Sequence, residues 1–355
     1  MLFVAPLATL ALTLSGFACE RIGPANVPVA IGVELPLAGD DGYRGLAARD
    51  GVRFALQRWN AGGKQPLAAI LCDSASHIAN PHEDEGSDDL AQGAHGAAIV
   101  RAFAAEPSIL AIVGGLRPDI AAAEAPVAQR FSLALLSATA TRVPGTSTFF
   151  RTAHSDEAEA FAITRLAARA GFGVPTVRSL DLARVAAMRA ILGSPTPQGA
   201  VYFAGPAGVG GILAGASSAR ELESAGILQS MGRRGFDFPT NEHAAFELEP
   251  VSGVPPEATA EYQRAIVAAF GGPALDDTFA YDIATTIALS AVDEASTTGA
   301  PSRATVLRAL RTETFSTLRG GVRFTLRGAA DDDCRRVHAL DDSLPDGLLC
   351  VRPGL

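Results

Sequence analysis

Two short stretches of the sequence pair an apolar run with residues that can hold a small ligand. The first is Val113–Asp119, with the sequence V-G-G-L-R-P-D. Its two glycines let a ligand approach the backbone, and Pro118 suits the first position of a helix. The second is Ser137–Thr141, whose hydroxyl groups and backbone amides can hold a carboxylate. Each stretch also has an interpretation without a ligand, as a tight strand–helix turn or as Ser/Thr capping.

Motifs for catalysis or cofactor binding are incomplete in this sequence. The glycine-rich segment Gly205–Gly211 follows an apolar run, but Leu213 stands where a dinucleotide-binding turn needs its third glycine, and no phosphate-binding lysine follows. The nucleophile motif G-x-S-x-G and the zinc motif H-E-x-x-H are absent. The sequence therefore predicts neither an enzyme nor a bound cofactor.

An acidic segment between His77 and His95 contains the residues that could form a metal site. The potential ligands are His82, Glu83, Asp84, Glu85, Asp88 and Asp89. Carboxylates are the ligands that hard divalent cations prefer. A solvated acidic loop explains the same composition and is favoured, so that no metal site is predicted.

Length and composition limit the class of protein. The 355 residues are too many for one simple core and indicate two domains of about 150 residues each. Hydrophobic residues make up 48% of the chain and charged residues 19%, as in a globular protein. The net charge of −9 argues against nucleic acid as a partner, because phosphate contacts need clustered lysine and arginine.

The first residues have the pattern of an export signal. Leu2–Ala18 is almost entirely apolar and too short to span a bilayer comfortably. This pattern predicts a signal peptide over residues 1–18, a linker over residues 19–26, and a location in the periplasm or on the outer face of a membrane. Cys19 resembles the lipid-acceptor cysteine of bacterial lipoproteins, although Phe17 is bulky where a small residue is usual. Lipidation of Cys19, which would attach the protein to a membrane, and plain cleavage after Ala18 both stay open.

The other three cysteines divide into a pair and a single residue. Cys334 and Cys350 lie in one C-terminal segment and can form a disulfide in an oxidising compartment. Cys72 is then expected to be a lone buried cysteine in a strand. The chain contains no C-x-x-C spacing, and the cysteines are not predicted to bind a metal.

Apolar runs of strand length alternate with stretches of helical periodicity along most of the chain. Strands are predicted at Val27–Val33, Pro66–Cys72, Ile109–Val113, Leu133–Ser137, Gly199–Phe203, Gly226–Met231, Ala245–Val251 and Gly320–Phe324. Helices are predicted at Ala48–Trp59, Ala94–Ala105, Pro118–Arg130, Glu157–Ala170, Ala183–Leu192, Gly210–Ser224, Glu257–Phe270, Thr278–Ala295 and Ser302–Arg311. The tail from Asp331 to Leu355 is polar and turn-rich. Apolar strands that alternate with helices indicate an α/β fold with parallel sheets covered on both faces.

Several motifs occur in the order and spacing of type I periplasmic binding proteins. They are Ile31–Val33, the P-L-x-G loop at Pro36–Gly39, Asp50–Val52, the helix end Asn60–Gly63, Ala111–Gly115, Leu136–Thr141, Phe149–Thr152, Phe279–Asp282 and Gly320–Phe324. Within that family the chain resembles most the branched-chain amino acid and amide receptors that deliver ligands to ABC transporters. The resemblance extends over nearly the whole chain after the predicted signal peptide.

The resemblance implies two doubly wound parallel-sheet lobes joined by three crossings, with a ligand held between the lobes. The crossings are expected near Phe150–Thr152, Ala245–Leu248 and Arg323–Leu326. Lobe one then contains residues 27–149 and 249–323, and lobe two contains residues 150–248 and 324–355.

The resemblance also implies ligand contacts, some of which this sequence has changed. Family members often place an aromatic residue where Tyr43 stands, and their loop at Ser137–Thr141 contacts the ligand. The amino acid receptors have a serine at the position of Pro118, beside Arg117, and an acidic residue for the ligand ammonium at the position of Arg234. An arginine suits a carboxylate and not an ammonium. The predicted ligand residues are Tyr43, Arg117, Ser137, Thr139, Ala140, Thr141 and Arg234, and an ordinary α-amino acid is not the expected ligand.

Part of the second lobe is expected to be missing. Family members have a strand, a helix and a strand between the Glu157–Ala170 helix and the next helix, whereas here Gly171–Asp181 leads almost directly to Ala183–Leu192. The sequence therefore predicts an exported solute-binding protein with a shortened second lobe, whose partners are a small carboxylated ligand and the membrane subunits of an ABC transporter. The alternative is a lipoprotein that uses the same fold as a scaffold or regulator without a ligand.

Overall fold

A computed structural model of the chain describes fourteen parts of it. These are residues 14, 16–75, 85–142, 145–169, 171–179, 182–196, 199–204, 211–215, 220, 244–248, 256–297, 299–330, 334–339 and 347–350. The chain divides into two compact units. Unit 1 contains Met1–Ala153 and Val254–Ala330, and unit 2 contains His154–Gly253 and Asp331–Leu355. The chain passes between the units after residues 153, 253 and 330, close to where the sequence places three crossings.

Unit 1 contains a six-stranded sheet in the order β1-β3-β2-β4-β5-β6. Its strands are β1 (Cys19–Ile22), β2 (Ala30–Leu35), β3 (Ala68–Asp73), β4 (Ile109–Val113), β5 (Ala134–Ser137) and β6 (Phe149–Arg151). Its helices are α1 (Gly42–Ala61), α2 (Glu85–Ala105), α3 (Pro118–Arg130), α6 (Pro256–Phe270), α7 (Asp276–Thr297) and α8 (Arg303–Thr312). A hairpin of β11 (Phe315–Thr317) and β12 (Gly320–Val322) completes the unit.

The sheet of unit 1 is parallel from β3 to β6 and buried on both faces, as the apolar strands predict. Every residue of β2, β4 and β5 is buried. Ile31, Val33 and Leu35 lie in the core with α1 and α7, whereas Ile70 and Ile112 lie in the core with α2 and α3. The alternation follows from the two-residue period of a strand, and the core on each face explains why both helix layers are needed.

The structure changes three expectations at the edges of unit 1. Residues 19–22 of the predicted linker form β1, which pairs antiparallel with β3. A disulfide joins Cys19 to Cys72, so Cys72 is not a lone cysteine, and the sulfur that lipidation of Cys19 would require is already bonded. The segment expected to be an acidic loop is helical from Glu85 onward, whereas residues 76–84, including His82, lie outside the described residues.

Helices α1 and α7 pack at a distance that only glycine allows at one position. An ideal Cβ on Gly51 would lie 2.1 Å from the Thr278 carbonyl oxygen and 3.0 Å from the Asp282 amide nitrogen. Both of those atoms belong to the backbone of α7 and cannot rotate away. Gly51 therefore sets how closely the two helices approach, although glycine is a poor helix former.

We expect Gly51→Ala to destabilise unit 1 by about 1–2 kcal/mol, because overpacking costs more than the gain in helix propensity. Gly42→Ala, in the first turn of the same helix, is the control, since its Cβ would meet only Leu37 backbone atoms at 3.4 Å. Chemical denaturation followed by circular dichroism measures both variants. A Gly51→Ala protein as stable as the Gly42→Ala protein would show that the helix pair can separate without cost.

Unit 2 contains a mixed sheet in the order β14-β13-β10-β9-β8-β7. Its strands are β7 (Thr176–Arg178), β8 (Val201–Ala204), β9 (Gly211–Ala214), β10 (Ala244–Leu248), β13 (Cys334–Ala339) and β14 (Gly347–Cys350). Its described helices are α4 (Asp156–Arg169) and α5 (Leu182–Leu192). Only β7 and β8 pair in parallel among these strands, so the second sheet is not the parallel sheet that the resemblance implies.

Several predictions for unit 2 are wrong. The segment predicted as a helix from Gly210 begins with strand β9, and the turn-rich tail contains β13 and β14. A short strand, β7, separates α4 from α5 where an almost direct connection was expected. The predicted strand at Gly226–Met231 lies outside the described residues. Antiparallel pairs, unlike parallel ones, need no helical crossover between their strands.

Two further features concern the C-terminal cysteines and the character of the helices. Cys334 and Cys350 are direct partners in the antiparallel register of β13 and β14, as a disulfide between them would require, and this disulfide stays a prediction. Among the described residues, no helix has the length and apolar character needed to cross a membrane.

Candidate functional site

The carboxyl ends of the parallel strands in unit 1 bring both ligand-binding stretches to one edge of the sheet. Gly114 and Gly115 follow β4, and Ser137–Thr141 begins at the end of β5, its direct neighbour. Open parallel sheets bind ligands at this edge, where the helices that follow also begin. The predicted stretches therefore lie side by side, as ligand-binding loops in an α/β sheet do.

Hydroxyl groups fasten these two loops to each other. The Ser137 hydroxyl donates to the Gly115 carbonyl oxygen at 2.8 Å and accepts from the Ala140 amide at 3.0 Å. The Thr139 hydroxyl donates to the Leu116 carbonyl oxygen at 2.6 Å. Ser137, Thr139 and Ala140 are fully buried. The hydroxyl groups of Ser137 and Thr139 thus hold the two loops in position. This role agrees with the interpretation of these residues that involves no ligand.

Thr141 differs from its neighbours in the loop. Its side chain is buried, but its hydroxyl makes no hydrogen bond within the described part of the chain. The Thr141 carbonyl oxygen accepts from Nη1 of the buried Arg151 at 3.2 Å, which fixes the backbone at this point. Because an unsatisfied buried hydroxyl costs free energy, Thr141 is the loop residue with hydrogen-bonding capacity left for a ligand.

Arg117 lies beside the loops with its charge already balanced. Its guanidinium is 2.8 Å from Oδ2 of Asp41 and 2.8 Å from Oδ2 of Asp119. Asp41 belongs to the loop before α1 and Asp119 to the first turn of α3. Arg117 therefore ties the start of two helices together, and its two carboxylate neighbours reduce what it can offer an anionic ligand.

The residue after Tyr43 forms a buried ion pair. Arg44 donates through Nε and Nη2 to the two carboxylate oxygens of Asp277, at 3.1 and 3.0 Å. Burial lowers the pKa of Arg44, but the carboxylates of Asp277 and Asp41 outweigh it and raise that pKa overall. The adjacent Tyr43 is half-buried, and burial raises the pKa of its phenol, which keeps the hydroxyl a donor. The pair holds the N-terminal ends of α1 and α7 together.

Two buried carboxyl groups lie directly behind the Gly114–Gly115 turn. Glu34 is the second-to-last residue of β2, is fully buried, and accepts from the Gly115 amide at 3.1 Å through Oε2. Glu124 of α3 is also fully buried, and its carboxyl group lies against that of Glu34. Burial, and then the charge of Glu34, raise the pKa of Glu124 well above its ordinary value. Glu124 therefore keeps its proton to a higher pH than an exposed glutamate does.

The acid pair makes the stability of unit 1 depend on pH in an unusual direction. A carboxyl whose pKa is raised by folding stabilises the folded state below its unfolded pKa and loses that effect as the pH rises through the folded pKa. Burial also raises the pKa of Asp282 to about 6, although Arg58 and Tyr262 donate to it. Both sites give greater stability at mildly acidic pH.

We expect urea denaturation from about pH 5 to about pH 8 to show a falling free energy of unfolding. Glu124→Gln, which keeps a hydrogen-bonding side chain without the charge, should flatten most of this fall and leave the part due to Asp282. Glu261→Gln, on the exposed side of α6, removes one negative charge away from the pair and serves as the control. A Glu124→Gln profile as steep as the wild-type profile would contradict the raised pKa of Glu124.

The sequence missed these buried groups for different reasons. Glu34 carries a signal, since it is a charged residue at the end of the apolar run Ala30–Leu35. Asp277 and Glu124 carry none, because each lies on an ordinary helix and meets its partner only after folding. Tyr281 lies in the motif Phe279–Asp282; its hydroxyl is buried, and burial followed by the charge of Glu34 raises its pKa.

Unit 2 has a buried polar cluster of its own. Arg184 of α5 donates to Glu159 of α4 and lies 3.4 Å from Asp156, while the Tyr202 hydroxyl donates to Glu159 at 2.6 Å. All four side chains are fully buried. The cluster joins both described helices of the unit to strand β8 and is a structural network in this position.

One cavity of about 410 Å³ lies far from the predicted ligand loops. It is at the C-terminal end of α1, and its wall includes Arg58, Trp59, Lys64 and Asp293. The Lys64 ammonium lies 4.0 Å from the centre of the Trp59 ring and 3.8 Å from Asp293. The chain's own cation therefore covers the aromatic wall, and the cavity is not part of the candidate site.

Six of the seven predicted ligand residues lie in unit 1 around the strand ends. They are Tyr43, Arg117, Ser137, Thr139, Ala140 and Thr141. The seventh, Arg234, lies outside the described residues. The structure brings the six together but gives Ser137 and Thr139 a loop-fastening role and Arg117 two acidic partners.

The fold is that of solved type I periplasmic binding proteins, among them ABC transporter substrate-binding proteins. No protein-family model and no curated protein matches the sequence. Solved structures of the branched-chain amino acid type resemble the chain over nearly its full length.

Three of these structures illustrate the likeness. A substrate-binding protein from Desulfitobacterium hafniense in complex with Leu has a TM-score of 0.59 and 19% identity, over 90% of this chain and 99% of its own. A solute-binding protein from R. palustris in complex with benzoate has a TM-score of 0.64 and 13% identity, over 91% and 97%. A binding protein from Streptococcus pneumoniae in complex with isoleucine has a TM-score of 0.60 and 15% identity, over 92% and 99%. Identities this low show a shared fold.

Proposed function

We propose that the protein is an extracytoplasmic solute-binding protein that closes on a small carboxylated ligand and presents it to the membrane subunits of an ABC transporter. The observation that carries this proposal is the pair of fastened loops at the carboxyl edge of the unit 1 sheet, in a chain with this fold. Rigid loops lower the entropy that binding costs, so fastening them favours a binding site. The protein acts outside the cytoplasm, in the periplasm or on the outer face of a membrane.

The carboxylate in the ligand is supported by the chemistry of the loops and by the structural neighbours. Leucine, isoleucine and benzoate, bound by the three neighbours, share a carboxylate and little else. The Thr141 hydroxyl has hydrogen-bonding capacity left, whereas the backbone of Gly114 and Gly115 is already hydrogen-bonded to Leu136, Glu34 and Ser137. We assign the carboxylate to the Thr141 loop and its counter-charge to Arg234, since Asp41 and Asp119 already occupy Arg117.

The more specific part of the proposal is that the ligand carries no α-ammonium group. By the resemblance, Arg234 stands at the position where the amino acid receptors use an acidic residue for the ammonium. Because two cations repel each other, an amino acid would bind less well than the matching acid without the amine. Aromatic and short aliphatic acids are the classes to test first.

We expect a thermal-shift screen of the purified protein to show stabilisation by organic acids and little by leucine or isoleucine. A ligand at a hundredfold excess over its Kd adds about 2.7 kcal/mol to the free energy of unfolding. Thr141→Val and Arg234→Ala should each remove most of the shift, whereas Thr312→Val, on the exposed end of α8, should keep it. The proposal fails if acids, amino acids and amides all leave the melting temperature unchanged.

A scaffold or regulator without a ligand is the second candidate function. It is favoured by the charge balance at the loops, where Arg44 and Arg117 both face carboxylates. The mixed sheet of unit 2 also departs from the pattern that the resemblance implies. The same screen separates the two functions, because a scaffold gives no shift with any small molecule, while its wild-type and Thr141→Val proteins melt alike.

A further inference from the structure

We propose that Cys19 forms a disulfide with Cys72 in the exported protein instead of carrying a lipid, so that the protein is free of a lipid anchor. This inference goes beyond solute binding and does not depend on it. It concerns the chemical fate of one sulfur, for which the sequence leaves lipidation and plain cleavage open.

The backbone of unit 1 places the two cysteines opposite each other. Cys19 is the first residue of β1 and is the direct partner of Cys72 in the antiparallel register with β3. The two Cα atoms are 4.0 Å apart, and the sulfurs are bonded. Cys72 is fully buried and Cys19 is half-buried, so the bond lies at the covered edge of the sheet. The register is fixed by four consecutive residue pairs and not by the cysteines alone.

The residues next to Cys19 are held within unit 1 and do not form a tether to a membrane anchor. Only the residues after Cys19 could act as a tether, because lipidation and plain cleavage both remove Ala18. Glu20 accepts from Arg53 of α1 at 2.9 Å, and Arg21 donates to the Val27 carbonyl oxygen at 2.6 Å. A lipid on Cys19 would hold the edge of this sheet directly at the bilayer surface, because no flexible residues separate them.

The two modifications of Cys19 exclude each other chemically. Disulfide formation removes one proton from each thiol and passes two electrons to an oxidant, here a disulfide-carrying oxidase of the exported compartment, which is reduced to its dithiol. Lipidation forms a thioether between the Cys19 sulfur and a glycerol carbon, after which that sulfur cannot join a disulfide. A lipidated protein must therefore contain Cys72 as a free thiol.

The test uses the full chain in an exporting bacterial host, in a Cys334→Ser/Cys350→Ser background that leaves only the two cysteines of interest. Intact mass and membrane fractionation are measured for this parent and for its Cys19→Ser and Cys72→Ala derivatives. We expect the parent in the soluble exported fraction, two hydrogen atoms lighter before reduction than after it, and unreactive to maleimide. The Cys72→Ala derivative should stay soluble and gain one reactive thiol at Cys19.

The Cys19→Ser derivative distinguishes the two fates even if Cys72→Ala folds poorly. If the disulfide is the fate of Cys19, this substitution leaves the protein in the soluble fraction, as in the parent. If the lipid is its fate, the parent is in the membrane fraction with the added mass of a diacylglycerol, and Cys19→Ser moves it to the soluble fraction. That result, or a soluble parent with two free thiols, overturns the proposal without affecting the ligand screen.

Discussion

Replacing Asp277 by alanine is expected to lower the free energy of unfolding of unit 1 by about 3 kcal/mol. Asp277 accepts two hydrogen bonds from Arg44, and the Arg44 side chain is 4% exposed. Removing one member of a buried pair leaves the other charge in a poorly solvated place, which costs about 3–5 kcal/mol. The lower end of that range applies, because Asp41 lies 3.8 Å from Arg44 and compensates in part.

Chemical denaturation of the purified variant measures this loss. Glu20→Ala is the matched control, since it breaks an exposed pair with Arg53 whose side chains are 29% and 42% accessible. An exposed pair contributes less than about 1 kcal/mol, so the control should change little. Equal losses in the two variants would show that the Arg44–Asp277 pair is solvated in the folded protein.

Replacing Cys72 by serine is expected to lower the free energy of unfolding of unit 1 by about 4 kcal/mol in the chain-entropy model. The disulfide joins residues 53 positions apart, and it therefore removes many conformations from the unfolded chain. It also fastens the edge strand β1, which is only four residues long. Without the bond, β1 should exchange its amide hydrogens faster than the central strands do.

Urea denaturation with and without a reductant checks this value. The Cys334→Ser/Cys350→Ser protein should lose about 4 kcal/mol on reduction, whereas the same protein with Cys72→Ser should be insensitive to the reductant. Hydrogen exchange of β1 and of β4, at the centre of the sheet, supplies the local comparison. A reductant-insensitive parent would mean that the bond between Cys19 and Cys72 does not form in solution.

Unit 1 follows closely from sequence patterns, and the reason lies in its buried strands. β4 and α3 occupy the predicted residues, and β2, β3 and β5 begin or end within a few residues of prediction. A parallel strand covered on both faces must be apolar throughout, and helices must follow it to return the chain. Both requirements produce patterns that can be recognised in a short segment of the sequence: an apolar run and a following stretch with helical periodicity.

Unit 2 follows less closely, because antiparallel strands leave a weaker mark. β9 was mistaken for the start of a helix, since Gly210–Ser224 is small and apolar enough to suit either structure. The strands β13 and β14 lie in a polar tail and are defined by pairing with β10 and with each other. Such pairing is a property of the folded chain, and it cannot be seen in any one of the three segments.

The sequence by itself determined where the two candidate ligand loops lie, because Gly114–Gly115 and Ser137–Thr141 are each found at the end of an apolar strand. It also predicted that those strands belong to a parallel sheet, whereas their pairing as neighbours was decided by the tertiary structure. Only the tertiary structure decided what the side chains do: Ser137 and Thr139 bind the opposite loop, and Arg117 binds Asp41 and Asp119. Charge balance and burial are set by partners far away in the chain, such as Arg44 and Asp277, 233 residues apart. Local patterns encode which elements form, whereas the chemistry at their ends depends on what folding places against them.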